Sequence, residues 1–551
     1  MSYGMDPYQT SWSPFHGAVY AVLSSVAKIA AAGGDASKVR LTFQEYFKKL
    51  GNAPYRWGEP FAALLGAYNA QMGLKLPAIG GKDSMSGTFN NIDVPPTFCS
   101  FAVGISDLKH VVTPELKMAG NKLVLLDIKE KEFGMPDYED ALSQYAALYK
   151  AIEAGLVKST YALGFGGIIE SVSKMAFGNK LGVKLTASAD LTAKHYGWIV
   201  VEVSNANGLP FHCTEIGEVT ADPFFECKGE KIALEEALAA WQKSLEGVFP
   251  TRSNEEQNGD VKVESKLYKA GNPLTHSHIP ALMHSAKPHV FIPAFPGTNC
   301  EYDSARAFNR AGAESEIIVF RNQNGQQIRE SVDAYVDAIK RSQIIMIPGG
   351  FSAGDEPEGS AKFITSVFRN PKIADAVMEL LNKRDGLMLG ICNGFQALVK
   401  LGLVPYGEIR PQAADAPTLT FNTIGRHQSK MAYTRVTSNL SPWLRKAELG
   451  ATYVIPISHG EGRFVAPQEW IDRLFANGQV ATQYVDLNGN PTMDEEYNMN
   501  GSYMAIEGIT SPDGRVFGKM GHSERRSKGS ALNIYGNDDQ LIFESGVTYF
   551  K

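Results

Sequence analysis

The sequence places a cysteine between two glycines at Gly390-Ile-Cys392-Asn-Gly394, directly after an apolar run and before a stretch with helical spacing. Small neighbours permit the sharp strand-to-helix turn that lifts a nucleophile out of a sheet, and a helix N-terminus favours a thiolate. A single cysteine is more often an inert buried side chain. The prediction that Cys392 is a nucleophile therefore depends on the groups that accompany it.

A candidate base follows another apolar strand, in Ser458-His459-Gly460-Glu461-Gly462. His459 can take the proton of the Cys392 thiol, and Glu461, two residues further on, can hold the imidazole in the useful tautomer. A single histidine beside a glycine is usually structural. In company with the cysteine, however, the two residues predict a Cys-His-Glu triad.

Backbone groups supply a candidate oxyanion site. The turn Pro348-Gly-Gly-Phe-Ser352 follows the apolar run 344–347, and its N–H groups can stabilise an oxyanion. The N–H of the residue after the nucleophile is the second predicted source of a hydrogen bond. The predicted oxyanion site consists of Gly349, Gly350, Phe351 and Asn393.

Cys300 is the alternative nucleophile, and the sequence disfavours it. It also follows an apolar strand, but no glycine downstream opens an elbow, and the adjacent Glu301 would disfavour a thiolate. The chain has five cysteines and no CxxC pair: Cys99, Cys213, Cys227, Cys300 and Cys392. This pattern argues against a disulfide framework and a cysteine-rich zinc site, and we predict no metal site.

The elements that position these residues alternate in the second half of the chain. Apolar runs at 289–293, 344–347 and 386–389 each lead into a glycine-containing turn and then into a helical period. Such alternation predicts a doubly wound α/β domain with a parallel sheet over residues 288–551. Function is then expected at the carboxyl ends of the strands.

The first half has a different, α+β pattern. Helical periods near 18–32, 58–71, 138–154 and 167–176 lie between short predicted strands, and no short repeat is visible. We predict two subdomains, 1–115 and 116–245, followed by a polar, turn-rich linker over 246–287. A glycine-rich turn that could bind phosphate through backbone N–H groups and a positive charge is formed by Gly81, Lys82, Asp83 and Ser84.

The composition excludes several classes of protein. The 551 residues include 53 basic and 59 acidic side chains, a formal charge of −6, which offers no basic surface for nucleic acid. The apolar stretch 15–34 contains Lys28 and has no basic residue ahead of it, unlike a secretory signal. We therefore predict a cytoplasmic protein that binds neither nucleic acid nor membranes.

Taken together, the motifs resemble those of a known family. Residues 289–551 are similar to class I (triad) glutamine amidotransferase domains, specifically those of phosphoribosylformylglycinamidine synthases. The matching segments are 295–301, 348–355, 390–396, 459–463, 500–502 and 521–525. The resemblance implies that Cys392 forms a glutamyl thioester and that Gln396 helps the Gly349-Gly350 turn to bind glutamine. The family's closing motif is Pro-His-Pro-Glu-Arg, whereas this chain has Gly-His-Ser-Glu-Arg at 521–525.

Residues 1–240 resemble the second synthetase-like repeat of the same enzymes, which is built like aminoimidazole ribonucleotide synthetase. The matches are 6–8, 33–35, 58–59, 80–86, 95–97 and 166–167. A magnesium–nucleotide site of this type needs carboxylates, because Mg²⁺ prefers oxygen ligands. Segments 7–34 and 154–169 contain no Asp or Glu. We therefore expect a degenerate ATP site in this half.

The resemblance implies a function and a partner. The chain would hydrolyse glutamine and supply ammonia for the ATP- and Mg²⁺-dependent conversion of formylglycinamide ribonucleotide to formylglycinamidine ribonucleotide. Nothing in the sequence matches the family's N-terminal half, so ATP and the ribonucleotide are expected on a missing half or a partner subunit. Such a chain should expose an apolar face that invites self-association. Two alternatives stay open: an independent cysteine amidohydrolase, and a non-catalytic assembly subunit with a vestigial triad.

Overall fold

The chain divides into two compact units, Met1–Leu245 and Glu246–Lys551. The computed structural model describes residues 1–186, 190–253, 262–271, 285–352, 361–526, 531 and 534–551. Both units mix helices with strands, so the chain is of the α/β type in the broad sense. Within the described ranges, no helix has the length and apolar character needed to span a membrane.

The described part of the first unit contains two larger sheets, with strand orders β1-β6-β2-β3 and β10-β12-β7-β13-β11-β14-β15, and two two-stranded sheets, β4-β5 and β8-β9. Its strands are β1 (Ser2–Gly4), β2 (Arg40–Tyr46), β3 (Ala78–Ser84), β4 (Thr88–Phe89), β5 (Ile92–Asp93), β6 (Thr97–Val103), β7 (Lys122–Leu126), β8 (Glu130–Lys131), β9 (Met135–Pro136), β10 (Val157–Ala162), β11 (Gly182–Leu185), β12 (Ile199–Val203), β13 (Cys213–Thr220), β14 (Phe224–Cys227) and β15 (Glu230–Ala233). Its helices are α1 (Pro7–Trp12), α2 (Pro14–Ala31), α3 (Pro54–Leu74), α4 (Tyr138–Glu153), α5 (Gly167–Asn179) and α6 (Leu234–Glu246).

Local sequence explains where these helices begin. The Ser13 hydroxyl accepts a hydrogen bond from the His16 N–H at the start of α2, and the Asp137 carboxylate accepts two at the start of α4. The four helical periods predicted in this half are confirmed as α2, α3, α4 and α5. The boundaries differ by at most four residues at either end.

The turn predicted at residues 81–84 is wrong, because these residues form a strand. Gly81, Lys82, Asp83 and Ser84 belong to β3, an edge strand that pairs in parallel with β2. All four residues are exposed or half-buried. In an extended strand, neighbouring N–H groups point in opposite directions and cannot converge on one phosphate. Pairing with β2, about 40 residues earlier in the chain, overrides the local tendency of this glycine-rich segment to turn.

The second unit is built on one nine-stranded sheet, of order β17-β16-β18-β19-β26-β25-β24-β21-β22. Its strands are β16 (His289–Ala294), β17 (Glu314–Val319), β18 (Ile344–Ile347), β19 (Leu387–Ile391), β20 (Thr418–Thr420), β21 (Gln428–Val436), β22 (Thr452–His459), β23 (Arg463–Val465), β24 (Val480–Tyr484), β25 (Ile506–Thr510) and β26 (Val516–Lys519). Its helices are α7 (Glu301–Arg310), α8 (Gly325–Arg341), α9 (Lys362–Phe368), α10 (Pro371–Lys383), α11 (Asn393–Leu401), α12 (Leu403–Tyr406), α13 (Gln468–Ala476) and α14 (Ile542–Thr548).

Five neighbouring strands of this sheet, from β17 to β26 in the sheet order, pair in parallel, as the sequence predicts. The two central strands β18 and β19 are buried along their whole length, which explains their unbroken apolar sequences. The other four strands are antiparallel, and the sequence analysis did not predict this extension. The carboxyl ends of β16, β18, β19 and β26 lie side by side and carry the candidate site.

Candidate active site

The predicted nucleophile elbow is present at Cys392. The residue lies between β19 and α11 with φ 52° and ψ −108°, a conformation that side-chain-bearing residues rarely adopt. A side chain on Gly394 would overlap the carbonyl oxygen of Ile347, and one on Gly390 would lie 2.7 Å from the carbonyl carbon of Gly394. Both glycines are therefore required by the close approach of the backbone. Cys392 is only 6% exposed.

Residues that follow three other strands surround this elbow. A Cβ on Gly349, which follows β18, would lie 3.4 Å from Cβ of Cys392, 3.2 Å from Sγ of Cys300 and 2.9 Å from Cε1 of His522. Cys300 lies beyond β16 and His522 beyond β26. Because Gly349 has no side chain, the side chains of Cys300, His522 and Cys392 can lie close to one another.

A buried ion pair lies next to the nucleophile. Nδ1 of His522 is 2.6 Å from Oε1 of Glu524, and both side chains are almost fully buried. Burial alone would lower the pKa of His522, but the charge of Glu524 and interactions with Cys392 outweigh it and raise this pKa well above 6.5. The His522 imidazole therefore has a fixed orientation and a carboxylate partner, as the base of a catalytic triad requires.

His459 lies near the nucleophile but in a different environment. The thiol of Cys392 donates to the carbonyl oxygen of Ser458 at 3.8 Å, so the end of β22 reaches the elbow. The His459 imidazole is buried, and neither of its nitrogens has a hydrogen-bond partner in the described part of the chain. Burial, followed by the charges of His522 and His427, lowers the pKa of His459 to about 3.

The predicted pairing of Glu461 with His459 is corrected by this geometry, since no carboxylate oxygen bonds to that imidazole. The backbone carbonyl of Glu461 accepts a hydrogen bond from the side chain of Gln396 instead. The oxygen of the Gln396 side chain accepts from Nδ2 of Asn393 at 3.0 Å. Gln396 therefore joins the start of α11 to the loop after β22, and its role in binding glutamine stays a prediction.

The oxyanion prediction is corrected in one respect. The N–H of Phe351 donates to the carbonyl of Gly297 at 2.8 Å, so it does not point at the nucleophile's substrate. Gly350 has φ 136°, in the region that favours glycine, and pairs with Thr298 in an isolated bridge. The role of Gly349, Gly350 and the N–H of Asn393 in the oxyanion site stays a prediction. Residues 353–355 of the motif lie outside the described residues.

Sequence reasoning missed the roles of His522 and Glu524. Both belong to the segment 521–525, which was matched to the family's closing motif but given no chemistry. The available signal was the His-x-Glu spacing, which also occurs at His459 and Glu461. Only the three-dimensional structure distinguishes the two motifs, because only one places its carboxylate on its imidazole.

The part of the chain that carries this site is similar to known proteins. The family model described as the CobB/CobQ-like glutamine amidotransferase domain matches residues 287–550. Phosphoribosylformylglycinamidine synthase subunit PurQ of Methanococcus maripaludis is 36% identical over 287 residues, covering 48% of this chain and 98% of the relative. The probable phosphoribosylformylglycinamidine synthase, chloroplastic/mitochondrial, of Arabidopsis thaliana is 26% identical over 524 residues, covering 84% of this chain and 36% of the relative.

Among solved structures, PurLQS from Thermotoga maritima is 27% identical, with 48% of this chain and 100% of that chain covered, at a TM-score of 0.35. The elbow cysteine at the end of a parallel strand and the matching family model define the second unit as a glutamine amidotransferase. Through its similarity to PurQ over nearly the whole length of that relative, the chain belongs to the phosphoribosylformylglycinamidine synthase family.

Proposed function

We propose that this chain hydrolyses glutamine with Cys392, His522 and Glu524 as its catalytic triad. The ammonia released serves the ATP-dependent conversion of formylglycinamide ribonucleotide to formylglycinamidine ribonucleotide in purine biosynthesis. The observation that carries the proposal is the buried 2.6 Å pair of His522 and Glu524 beside the Cys392 elbow. Membership of the family supports the substrate and the pathway.

The geometry suggests how each group acts. The sulfur of Cys392 attacks the side-chain amide carbon of glutamine, and an imidazolium at His522 favours the thiolate form of a neighbouring thiol. As the C–N bond breaks, His522 gives its proton to the nitrogen, so that ammonia leaves and a glutamyl thioester remains. The neutral imidazole then takes a proton from water, which attacks the thioester and releases glutamate.

Glu524 acts through His522 in this scheme. Its carboxylate fixes the ring through Nδ1, which leaves Nε2 to exchange protons with the thiol and the leaving group. The negative charge also stabilises the imidazolium, in accordance with the raised pKa of His522. His459, whose pKa is lowered to about 3, stays neutral at physiological pH and has no carboxylate to orient it.

Labelling with a glutamine-like electrophile tests the nucleophile. Diazo-oxo-norleucine forms a stable bond to a cysteine that recognises glutamine, and mass spectrometry of peptides locates the adduct. We expect the adduct on Cys392 and no adduct in Cys392→Ala. An adduct on Cys300 in the unaltered chain would overturn the triad. Cys99, buried in the first unit, is the internal control for non-specific alkylation.

We propose that the first unit is a degenerate synthetase-like domain divided into subdomains 1–115 and 116–245. Residues 246–287 then form a linker, and residues 288–551 form the class I glutaminase domain. The similarity to the plant relative covers 84% of this chain and therefore includes most of the first unit, which supports a synthetase origin. At the Gly166-Gly167 pair that was matched to the family, the carboxylate of Glu170 accepts the N–H of Gly166 at 2.6 Å. This N–H at the start of α5 is therefore already occupied by a protein carboxylate.

We propose that the ATP, Mg²⁺ and ribonucleotide sites lie on a partner that covers an apolar face of the first unit, in the cytoplasm. The chain spans about a third of the length of the plant relative. One face of α3, at spacings of three and four residues, together with an exposed residue of β3, carries large apolar side chains that are each more than half exposed. They are Trp57, Phe61, Leu64, Tyr68, Met72 and Ile79.

Light scattering tests this face. The unaltered chain is expected to self-associate, because a continuous apolar face of this kind is unusual on a monomer. The double variant Phe61→Glu/Tyr68→Glu should shift the protein toward the monomer. A compact monomer of the unaltered chain at all concentrations would contradict the proposed face without touching the proposed triad.

A further inference from the structure

A second chemical feature lies behind the nucleophile. Sγ of Cys300, a ring nitrogen of His522 and a carboxylate oxygen of Glu524 all lie within 4.8 Å of one another. The three residues are 1%, 3% and 3% exposed. Among the described residues, this is the one group of three His, Cys, Asp or Glu side chains with such spacing. The sequence analysis predicted no metal site because no cysteine pair is close in the sequence, but these ligands come from segments 222 residues apart.

The donor atoms match one class of cation. Thiolate, imidazole and carboxylate together suit Zn²⁺, whereas Mg²⁺ and Ca²⁺ prefer sites built of oxygen alone. Tetrahedral zinc with ordinary bond lengths separates sulfur from nitrogen by about 3.6 Å and nitrogen from oxygen by about 3.4 Å. Sγ of Cys300 is 3.8 Å from Nδ1 of His522, and Nδ1 is 2.6 Å from Oε1 of Glu524. The first separation already fits such an ion, whereas the second must open to admit it.

One cation already competes for the thiol. Nη2 of Arg525 lies 3.2 Å from Sγ of Cys300. The same guanidinium has a second partner in Asp303, with Nε 3.2 Å from Oδ2, and its side chain is 38% exposed. Arg525 can therefore leave the sulfur without losing all of its charge compensation. The thiol thus lies where a cation is already placed beside it.

We propose that Cys300, His522 and Glu524 form an inhibitory Zn²⁺ site. On binding, the Cys300 thiol and Nδ1 of His522 release their protons to solvent, and the three side chains each form one bond to the ion. A water molecule completes the tetrahedron. The Nδ1–Glu524 hydrogen bond is then broken, so the imidazole no longer serves Cys392. The inhibitory effect depends on the proposed triad, whereas metal binding itself does not.

Cobalt absorption tests the site independently of activity. The metal-free full chain is titrated with Co²⁺, which gives a near-ultraviolet charge-transfer band only when a thiolate is a ligand. We expect one ion per chain with this band in the unaltered protein, in Cys392→Ala and in the control Cys99→Ala, and its displacement by Zn²⁺. The band should be absent from Cys300→Ala and Cys300→Val, and Glu524→Gln should bind at least tenfold more weakly.

Two results would overturn the inference: no thiolate band in the unaltered chain, or a band that survives in Cys300→Ala and disappears in Cys392→Ala. Circular dichroism of each variant identifies any that fail to fold, and the use of two Cys300 variants guards against such a failure. Glutamate release is measured separately. A band without glutaminase activity would count against the proposed function alone, and glutaminase activity without a band would count against the metal site alone.

Discussion

The chain carries two His-x-Glu motifs near the same nucleophile, and among the described residues only one of them places its carboxylate on its imidazole. His459 ends strand β22, and Glu461 directs its backbone carbonyl to Gln396. His522 precedes a short 3₁₀ turn, Ser523–Arg525, which returns Glu524 to the imidazole at 2.6 Å. Identical residue types at identical spacing thus give a hydrogen-bonded imidazole–carboxylate pair only where the backbone folds the second residue back on the first.

The two imidazoles consequently have opposite electrostatic states. Both are buried, which disfavours the charged form in each case. At His522 the charge of Glu524, together with interactions with Cys392 and Cys300, outweighs burial and raises the pKa well above 6.5. Among the described residues, His459 has no such carboxylate, and its pKa falls to about 3. The difference shows that proximity to a nucleophile does not by itself make a histidine its base.

The largest expected effect concerns the nucleophile that both motifs share. Cys392→Ala should lower glutamate release from glutamine by about 10⁴-fold or more, because no other group can form the thioester. Cys300→Ala should leave release within about tenfold of the unaltered chain. Enzymatic assay of glutamate compares the two variants. Loss of activity in Cys300→Ala with retention in Cys392→Ala would reverse the assignment.

The next effect separates the two histidines. His522→Ala should lower glutamate release by about 10³-fold, the range expected for loss of a proton-transfer group. His459→Asn, which keeps a neutral polar side chain, should change release by less than about tenfold. The two variants are assayed side by side at pH 7.5. A larger loss of glutamate release in His459→Asn than in His522→Ala would contradict the assignment of His522 as the proton-transfer group.

A smaller effect isolates the carboxylate. Glu524→Gln should lower release by about 10²-fold, at the lower end of the range for proton-transfer groups. Since the charge of Glu524 helps to raise the pKa of His522, the imidazolium is present below that pKa and is lost as the pH rises through it. The substitution should therefore move the basic limb of the activity profile to lower pH. Glu461→Gln is the matched control and should leave the limb in place.

The smallest effect concerns stability around His459. A side chain on Gly462 would lie 2.5 Å from the His459 ring, whereas one on Gly460 would come no closer than 4.0 Å to any neighbour. Gly462→Ala should thus lower the free energy of unfolding by about 1–3 kcal/mol, the usual cost of overpacking. Gly460→Ala should cost much less. Urea unfolding measures both, and equal costs would contradict the described packing of His459.

The sequence predicts those parts of the site that depend on local pattern. The glycines at 390 and 394 indicate the elbow because a strand-to-helix turn needs small residues at those places. The apolar runs of β18 and β19 indicate buried parallel strands. Both features can be predicted from segments of a few residues, since they follow from steric limits and from hydrophobic burial.

The parts that the sequence does not predict depend on distant partners. The N–H of Phe351 donates to the carbonyl of Gly297, about 50 residues away, so this N–H is not available to an oxyanion. The segment 81–84 is a strand because β2 pairs with it. Glu524 was not recognised as a partner of His522 because the same spacing elsewhere in the chain forms no such pair.

The rate at which Cys392 reacts with iodoacetamide tests the central claim most directly, because it reports the base at the nucleophile without requiring a partner. Mass spectrometry follows alkylation of Cys392 at pH 7 in the unaltered chain, in His522→Ala and in His459→Asn. We expect alkylation to slow at least tenfold in His522→Ala and to stay within about twofold in His459→Asn, since only an imidazolium at His522 favours the thiolate. Slower alkylation in His459→Asn, with an unchanged rate in His522→Ala, would contradict it.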